Sequence, residues 1–266
     1  MRNYPLHLCQ PDNTKSCGAC CGLYNVEDHS RETLISLLEK RTELFFSSGE
    51  KPDVDRYGRE IKAFPPLPKL SETIYNCEFL GFVDRDYRRV GCLLHPVFNH
   101  GVDLRTCSFY GAKLCRDHFC ISFTCLSPVE QRAVISSLDD WYLYGLVITD
   151  VDFVKAFFAH VQNRLGDSLR DDRLDTLPVQ TALRDFFELK ISWKFLSRIK
   201  RLGKYYFSQA EYHIARLDYK KTWGMDPSRF DTIFKSLASV FKCEDDVREA
   251  EAIIEEKIRR FIEEYH

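Results

Sequence analysis

Ten of the eleven cysteines lie within the first 126 residues, and this crowding constrains the fold more than any other feature of the sequence. Seven of the ten prolines and eight of the twelve glycines also precede Ser127. Because proline and glycine interrupt regular structure, the first half of the chain is predicted to be irregular. The sequence therefore predicts a mainly α protein, with a cysteine-rich domain over residues 1–126 packed on a helical domain over residues 127–266.

Helix signals are clear in the second half of the sequence. Ser127 is followed three residues later by Glu130, which predicts a capping box, and Pro128 occupies the first helical position. One apolar stripe at helical spacing is expected to follow, from Val129 to Gly145. Further helices are predicted over residues 150–165, about 178–199, 230–241 and 247–261. In the first half, one amphipathic helix is predicted over residues 30–46, and the residues in phase on one face are Leu34, Leu37, Leu38, Arg41 and Phe45.

Charge and hydropathy exclude several classes of protein. Lys plus Arg (38) nearly balances Asp plus Glu (40), so the composition gives no support to a nucleic-acid partner. No run of about 18 apolar residues occurs, so no membrane-spanning segment is expected. The first residues lack the apolar stretch of a secretory signal, and the protein is expected to be cytoplasmic. The sequence predicts no particular oligomeric state.

Cys17, Cys20 and Cys21 form a Cys-x-x-Cys-Cys motif. A Cys-x-x-Cys step lets both sulfurs turn toward one metal, and Gly18 is expected to give the backbone the freedom for that turn. Zinc or an iron–sulfur cluster then needs thiolates from elsewhere in the chain. Metal is favoured over disulfides, because a reducing compartment is expected, the chain is large and the cysteine total is odd. A redox-active dithiol and simple burial of unrelated thiols are the alternatives.

Further motifs follow in order along residues 9–125. They are Ser-Cys-Gly-Ala-Cys-Cys at 16–21, Cys-Glu-Phe-Leu-Gly at 77–81, Gly-Cys-Leu-Leu-His-Pro at 91–96, Asp-Leu-Arg at 103–105, and Ser-Phe-Tyr-Gly at 108–111 followed by Cys115 and Cys120. Together these blocks resemble the YkgJ-like cysteine-cluster family. That family is described as zinc- or iron-chelating and is related to flagellin lysine N-methylases.

The resemblance implies a set of metal ligands. They are Cys17, Cys20, Cys21, Cys77, Cys92, Cys115 and Cys120. Many members of the family have a further cysteine three residues before the first of these, where this chain has Thr14, and Cys9 is the candidate replacement. Cys107 and Cys125 are additions to the pattern. Cys243 is expected to be a small buried residue on a helix.

Seven thiolates exceed what one zinc ion or one four-iron cluster takes, since each takes four. We expect a larger or second site, or catalytic, redox-active or simply buried roles for some of the cysteines. The adjacent Cys20 and Cys21 are not expected to face one tetrahedral ion together, which favours a cluster or two metals. His95 and His118 are candidate ligands or hydrogen-bond partners of ligands, with an ordinary loop role as the alternative.

Positive charges near the cysteines are candidates for offsetting the charge of a metal site. Four thiolates on one zinc leave a net charge of −2, which Arg105 or Arg116 would counter. Arg105 also belongs to one of the blocks that carry the resemblance. Arg88 and Arg89 are interpreted as surface charge.

Two classes of function remain open. In the first, the protein is an enzyme that modifies a side chain of a protein substrate, as the resemblance to flagellin lysine N-methylases implies. In the second, it is a non-catalytic module that binds zinc, or uses it to hold a surface for a partner. The sequence has no Gly-rich phosphate loop and no Ser-His-Asp order, which disfavours a standard nucleotide-binding enzyme. Relatedness to the methylases favours an iron–sulfur cluster of the 4Fe–4S type over zinc, and no catalytic residue is predicted.

Overall fold

The computed structural model describes residues 7–49, 51–197 and 217–266. Within these residues the chain is mainly helical, with one antiparallel pair of short strands, which confirms the predicted mainly α class. The described chain divides into two compact units. Unit 1 comprises the described residues up to Cys120 together with Asp140–Gly145, and unit 2 comprises Ile121–Asp139 and the described residues from Leu146 onward.

Unit 1 combines irregular chain with a few regular elements. These are helix α1 (Arg31–Phe46), helix α2 (Val54–Lys62), strands β1 (Leu80–Phe82) and β2 (Val90–Cys92), and helix α3 (Gly111–Asp117). Short 3-10 helices lie at Ala19–Cys21, Pro96–Phe98 and Arg105–Cys107. The irregular character predicted for this part of the chain is therefore present, but α2 and the strand pair were not predicted.

Helix α1 confirms the predicted helix over residues 30–46, and it packs on β1. Its buried face consists of Leu34, Leu38 and Phe45. The hydroxyl of Thr42 on α1 accepts a hydrogen bond from the Phe82 amide at 2.7 Å. Burying a Leu or Phe side chain of this kind stabilises the fold by roughly 1.5–3 kcal/mol. The helix therefore fixes the position of the strand pair beside it.

The strand pair aligns two parts of the cysteine-rich chain. Its antiparallel register places Leu80 opposite Cys92 and Phe82 opposite Val90. The Leu93 amide continues the pairing by donating to the Phe79 carbonyl at 2.8 Å. Cys77 precedes β1 and Cys92 ends β2, so the hairpin holds two cysteines that are distant in sequence at the same end of the pair.

Unit 2 is built from helices. They are α4 (Ile121–Cys125), α5 (Pro128–Ser137), the end of α6 (Trp141–Ile148), α7 (Val151–Leu165), α8 (Asp171–Leu174), α9 (Leu177–Phe187), α10 (Leu189–Ser192), α11 (Tyr219–Trp223), α12 (Asp231–Ser236) and α13 (Glu244–Tyr265). Residues of α6 up to Gly145 are grouped with unit 1.

The core of unit 2 is aromatic. Phe157 on α7 has its ring centroid 4.2 Å from that of Phe186 on α9 and 5.3 Å from that of Phe261 on α13. Phe153 stacks on Phe186 at 4.7 Å. Offset and edge-to-face ring pairs add about 0.5–1.5 kcal/mol each to the energy of burial. These rings hold α7, α9 and α13 together.

Several helix ends follow the predicted signals. Ser127 accepts a hydrogen bond from the Glu130 amide while Glu130 accepts one from the Ser127 amide, so the predicted capping box is present. Asp150 accepts a hydrogen bond from the Phe153 amide at the start of α7, and Gly166 ends that helix with φ of 68°. Helix α13 contains the predicted segment over residues 247–261 and extends beyond both of its ends.

The prediction of one continuous helical stripe from Val129 to Gly145 is wrong. Helix α5 ends at Ser137, Leu138 is extended, and α6 begins at Trp141. The Asp140 carboxylate accepts hydrogen bonds from the amides of Tyr142 at 2.9 Å and Leu143 at 3.1 Å. A carboxylate that satisfies the first amides of a helix starts a new one, and here it breaks a continuous apolar pattern.

Two other predicted helices are shorter than expected. In the segment over residues 230–241, α12 ends at Ser236 and Ala238 adopts a left-handed φ of 50°. The Val240 amide then donates to the Phe195 carbonyl at 2.9 Å, so the chain beyond α12 pairs with another segment instead of continuing the helix. Residues 178–199 contain α9 and α10 but leave helix at Trp193, and residue 199 lies outside the described residues.

None of the described helices combines the length and the apolar character needed to cross a membrane.

Candidate metal centre

The Cys-x-x-Cys-Cys motif forms a tight turn. Residues Ala19–Cys21 are a 3-10 helix, and the Ala19 amide donates to the Cys17 sulfur at 3.5 Å. Gly18, expected to supply backbone freedom, has an ordinary φ of −115°. The turn instead requires Gly22, whose φ is 82° and whose added Cβ would lie 2.5 Å from the Tyr75 carbonyl oxygen. Gly22 therefore closes the motif, because only glycine adopts this φ without a steric penalty.

A first group of cysteines lies around the start of this motif. The Cys17 amide donates to the Cys9 carbonyl at 2.9 Å, and the thiols of Cys20 and Cys120 are hydrogen-bonded to each other. Burial first, and then the charges of Cys9 and Cys120, raise the pKa of Cys17. We call Cys9, Cys17, Cys20 and Cys120 the Cys9 set.

A second group lies around the strand pair. Cys77 belongs to a buried cluster with Phe79 and Leu93, and both Cys21 and Cys92 pack against that cluster. The Cys77 amide donates to the Cys21 carbonyl at 2.9 Å.

Cys115 completes the second group from helix α3. Its sulfur lies 3.4 Å from the hydroxyl of Ser108, and its charge adds to burial, the main cause, in raising the pKa values of Cys92 and Cys21. We call Cys21, Cys77, Cys92 and Cys115 the Cys21 set. Cys20 and Cys21 are consecutive residues, so the two sets adjoin each other within unit 1.

The same local hydrogen bond recurs at cysteines of both sets. The Ala19 amide donates to the Cys17 sulfur at 3.5 Å, and the Phe79 and Leu94 amides each oppose the rise in the pKa of the cysteine two residues before them. An amide N–H that points at sulfur favours the thiolate over the thiol, and hydrogen bonds of this kind tune metal–thiolate centres. The amides therefore offset only part of the effect of burial, which is the larger cause and keeps the pKa values of these three cysteines raised.

Burial acts in the opposite direction on the same thiols. Burial first, and then the charge of Cys120, raises the pKa of Cys9 to about 12. Burial likewise raises the pKa of Cys77 to about 12 and that of Cys92 to about 11, despite the amide bonds to both sulfurs. Without a bound cation these groups stay protonated at neutral pH. A metal would have to displace their protons, and it would supply the positive charge that compensates the resulting thiolates.

Two arginines lie beside the Cys21 set. Arg105 is held by Asp103 through bonds of 2.8 and 2.7 Å, and its charge opposes the rise that burial causes in the pKa of Cys92. Arg41 on α1 is half-buried and donates to the Cys77 carbonyl at 3.0 Å, and its charge opposes the rise that burial causes in the pKa of Cys77. The sequence pattern put Arg41 in phase with the buried face of α1, but a pattern of spacing does not show that its charge would lie next to a thiol.

The other predicted charges and histidines have ordinary partners. Arg88 pairs with Asp84 and Asp86, Arg89 approaches Asp84, and Arg116 pairs with Asp117 at the surface. His95 accepts a hydrogen bond from the Val97 amide at 3.2 Å and caps a 3-10 turn. His118 is exposed at the end of α3.

The cysteines outside the two sets are exposed. They are Cys107, Cys125 and Cys243. The expectation of a buried Cys243 within a helix is wrong, because this residue precedes the first turn of α13 and faces solvent. In the second half of the chain, the His160 ring is hydrogen-bonded to the Arg229 carbonyl, and His213 lies outside the described residues.

In the arrangement of the described residues, no group of three or more His, Cys, Asp or Glu side chains already has the spacing of a metal site. The donor chemistry nevertheless fits zinc or an iron–sulfur cluster, because both take thiolate sulfur. A search against protein-family models, curated proteins and solved structures finds no match for this chain.

Proposed function

We propose that unit 1 binds metal through cysteine thiolates. The observation that supports the proposal is the packing of Cys21 and Cys92 against the buried cluster that contains Cys77, which brings cysteines from three separate parts of the chain together. Soft thiolate donors select zinc or iron–sulfur clusters over magnesium or calcium.

The ligands we propose are those implied by the family resemblance, now joined by Cys9. They are Cys9, Cys17, Cys20, Cys21, Cys77, Cys92, Cys115 and Cys120. On loading, each thiol would lose its proton, and Arg41 and Arg105 would offset part of the remaining negative charge. We favour an iron–sulfur cluster because of the resemblance to the flagellin lysine N-methylase relatives, with zinc as the alternative.

Anaerobic purification followed by metal and sulfide analysis tests the proposal. An iron–sulfur protein would be brown, with broad visible absorption and acid-labile sulfide in proportion to its iron. A colourless protein that holds zinc without sulfide would replace the cluster by the alternative metal. A folded protein that holds neither metal, and takes up neither after reconstitution, would refute metal binding.

A catalytic role needs its own test. The resemblance implies modification of a protein side chain, and S-adenosylmethionine is the methyl donor to examine first. Calorimetry with the metal-loaded protein under anaerobic conditions would measure its binding. Saturable binding that is lost in the Cys92→Ser variant would support an enzyme, whereas absence of binding would favour the non-catalytic zinc module.

A further inference from the structure

An exposed run of prolines follows helix α2 in unit 1. Residues 64–68 have the sequence Phe-Pro-Pro-Leu-Pro and lie in no helix and no strand. All five side chains are exposed, with 39% of Phe64 and 36% of Leu67 open to solvent. We call residues 64–68 the proline segment. Because it contains no cysteine, metal binding leaves its exposed apolar surface unexplained.

The sequence of the proline segment restricts its backbone. Each proline fixes its own φ at about −65° and has no N–H to donate to a neighbouring strand. Phe64, Pro65 and Leu67 each precede a proline, which disfavours helical geometry at all three. The backbone is therefore biased toward a polyproline II helix, which has three residues per turn and no internal hydrogen bonds.

Contacts with other parts of unit 1 hold both ends of the proline segment. At the end of α2, the Phe64 amide donates to the Ile61 carbonyl at 3.3 Å. At the other end, the Pro68 carbonyl accepts from the Glu27 amide at 2.8 Å. Lys40 on α1 places its Nζ atom 3.4 Å from the centroid of the Phe64 ring, a cation–π contact. An extended segment that is already fixed at both ends loses little conformational entropy when a partner binds it.

Two of the prolines lie on one edge of the segment. With three residues per turn, residues i and i+3 share an edge of a polyproline II helix. Phe64 and Leu67 therefore share one edge, and Lys40 covers the Phe64 ring there. Pro65 and Pro68 share another edge, which presents two exposed proline rings in the pattern Pro-x-x-Pro.

Positive charge flanks the proline segment on both sides. Lys62 is the last residue of α2 and is exposed. Lys69 directly follows the segment, and its ammonium lies 3.9 Å from the carboxylate of the exposed Glu72. An ion pair of this length at the surface contributes little energy. A partner with carboxylates beside its binding groove would complement the two lysines.

We propose that the edge formed by Pro65 and Pro68 docks a partner protein domain whose groove is lined with aromatic side chains and bordered by carboxylates. Grooves of this kind recognise Pro-x-x-Pro segments because the polyproline II helix is already formed and loses little entropy on binding. This inference goes beyond metal binding and does not depend on it. A stiff connector between α2 and the following chain is the alternative role, and it predicts no binding.

Titration of the full chain into two labelled probes tests the proposal. The probes are an isolated SH3 domain and an isolated WW domain, because both read proline-rich ligands through aromatic grooves. Fluorescence anisotropy would measure the affinity of each. We expect saturable binding to at least one probe, and added salt should weaken it. Absence of binding to both probes would overturn the proposal and leave the connector role.

Substitutions in the proline segment identify the edge that binds. Pro65→Ala combined with Pro68→Ala should weaken binding by about tenfold or more, because both proline rings would leave the aromatic groove. Pro66→Ala is the matched control, since Pro66 lies on a different edge, and it should change the affinity by less than about threefold. Equal losses in the double variant and in Pro66→Ala would overturn the proposal.

A synthetic peptide of residues 61–70 keeps the test independent of how the variants fold. It should displace the full chain from the probe, and failure to do so would place the binding elsewhere on the chain and overturn the proposal. Sedimentation of the full chain alone examines a second copy as the occupant. A dimer that Pro65→Ala combined with Pro68→Ala dissociates would mean that this edge binds another copy, which would also overturn the proposal.

Discussion

Arg41 offers a sharp test of how the scaffold supports the Cys21 set. The half-buried Arg41 side chain donates to the carbonyl of Cys77 at 3.0 Å and to that of Leu80 at 3.4 Å, at the start of β1. A hydrogen bond from a charged donor contributes about 1.5–3 kcal/mol, and the longer bond adds less. Arg41→Met should therefore lower the local stability of the strand pair by about 2–3 kcal/mol.

Hydrogen exchange of the metal-free protein measures this local stability. At about 1.4 kcal/mol per tenfold, the expected loss accelerates exchange of the β1 and β2 amides by about 30- to 150-fold. Arg88→Met is the control, because Arg88 makes exposed pairs with Asp84 and Asp86, and such pairs are worth about 0–1 kcal/mol. Equal exchange in the two variants would refute the role given to Arg41.

Three further perturbations test other parts of the structure. Gly22→Ala places a side chain at φ of 82° and against the Tyr75 carbonyl. It should cost more stability than Gly49→Ala, where φ is 94° but no atom lies within 4 Å of the added Cβ. Equal melting temperatures of the two variants would contradict this prediction. Ser127→Ala removes the cap of α5 and should cost about 0.5–2 kcal/mol, seen as faster exchange in the first turn of that helix and not elsewhere. The buried thiols have folded pKa values of about 11 to 12 against an ordinary 9.0, so the metal-free protein should lose stability as pH rises from about 9 toward 12. In the metal-loaded protein the thiols are already deprotonated, so this loss of stability at high pH should be absent. Identical pH profiles of unfolding for the metal-free and metal-loaded protein would contradict the prediction.

The helices that sequence predicted well have strong local signals. The capping box at Ser127 starts α5, Asp150 caps the start of α7, and Gly166 ends α7. Each of these signals acts on neighbouring residues, so no tertiary information is needed to predict the helix end. The break before α6 was missed because Asp140 interrupts a stripe whose apolar spacing continues across it. Local hydrogen bonding outweighs periodicity there.

Short elements escaped prediction for a different reason. Strands β1 and β2 have three residues each, too few for an alternating pattern, and they depend on packing against α1. Helix α2 buries Tyr57 as its main apolar anchor, so its sequence carries little helical stripe. Such elements are stabilised by distant contacts that no local pattern encodes.

The candidate site was predictable in its residue types but not in its partition. Spacing identified the Cys-x-x-Cys-Cys motif, yet the grouping of Cys20 with Cys120 and of Cys21 with Cys77 depends on the tertiary fold. Likewise, helical phase placed Arg41 on the inner face of α1 without showing that the Cys77 carbonyl would lie there to accept its hydrogen bond.

X-ray absorption at the metal edge of the loaded protein tests the central claim most directly, because it identifies the atoms bonded to the metal. The account predicts sulfur neighbours only, four per metal at about 2.3 Å for zinc, with additional iron neighbours if the centre is a cluster. A nearest-neighbour set dominated by nitrogen or oxygen would contradict thiolate binding.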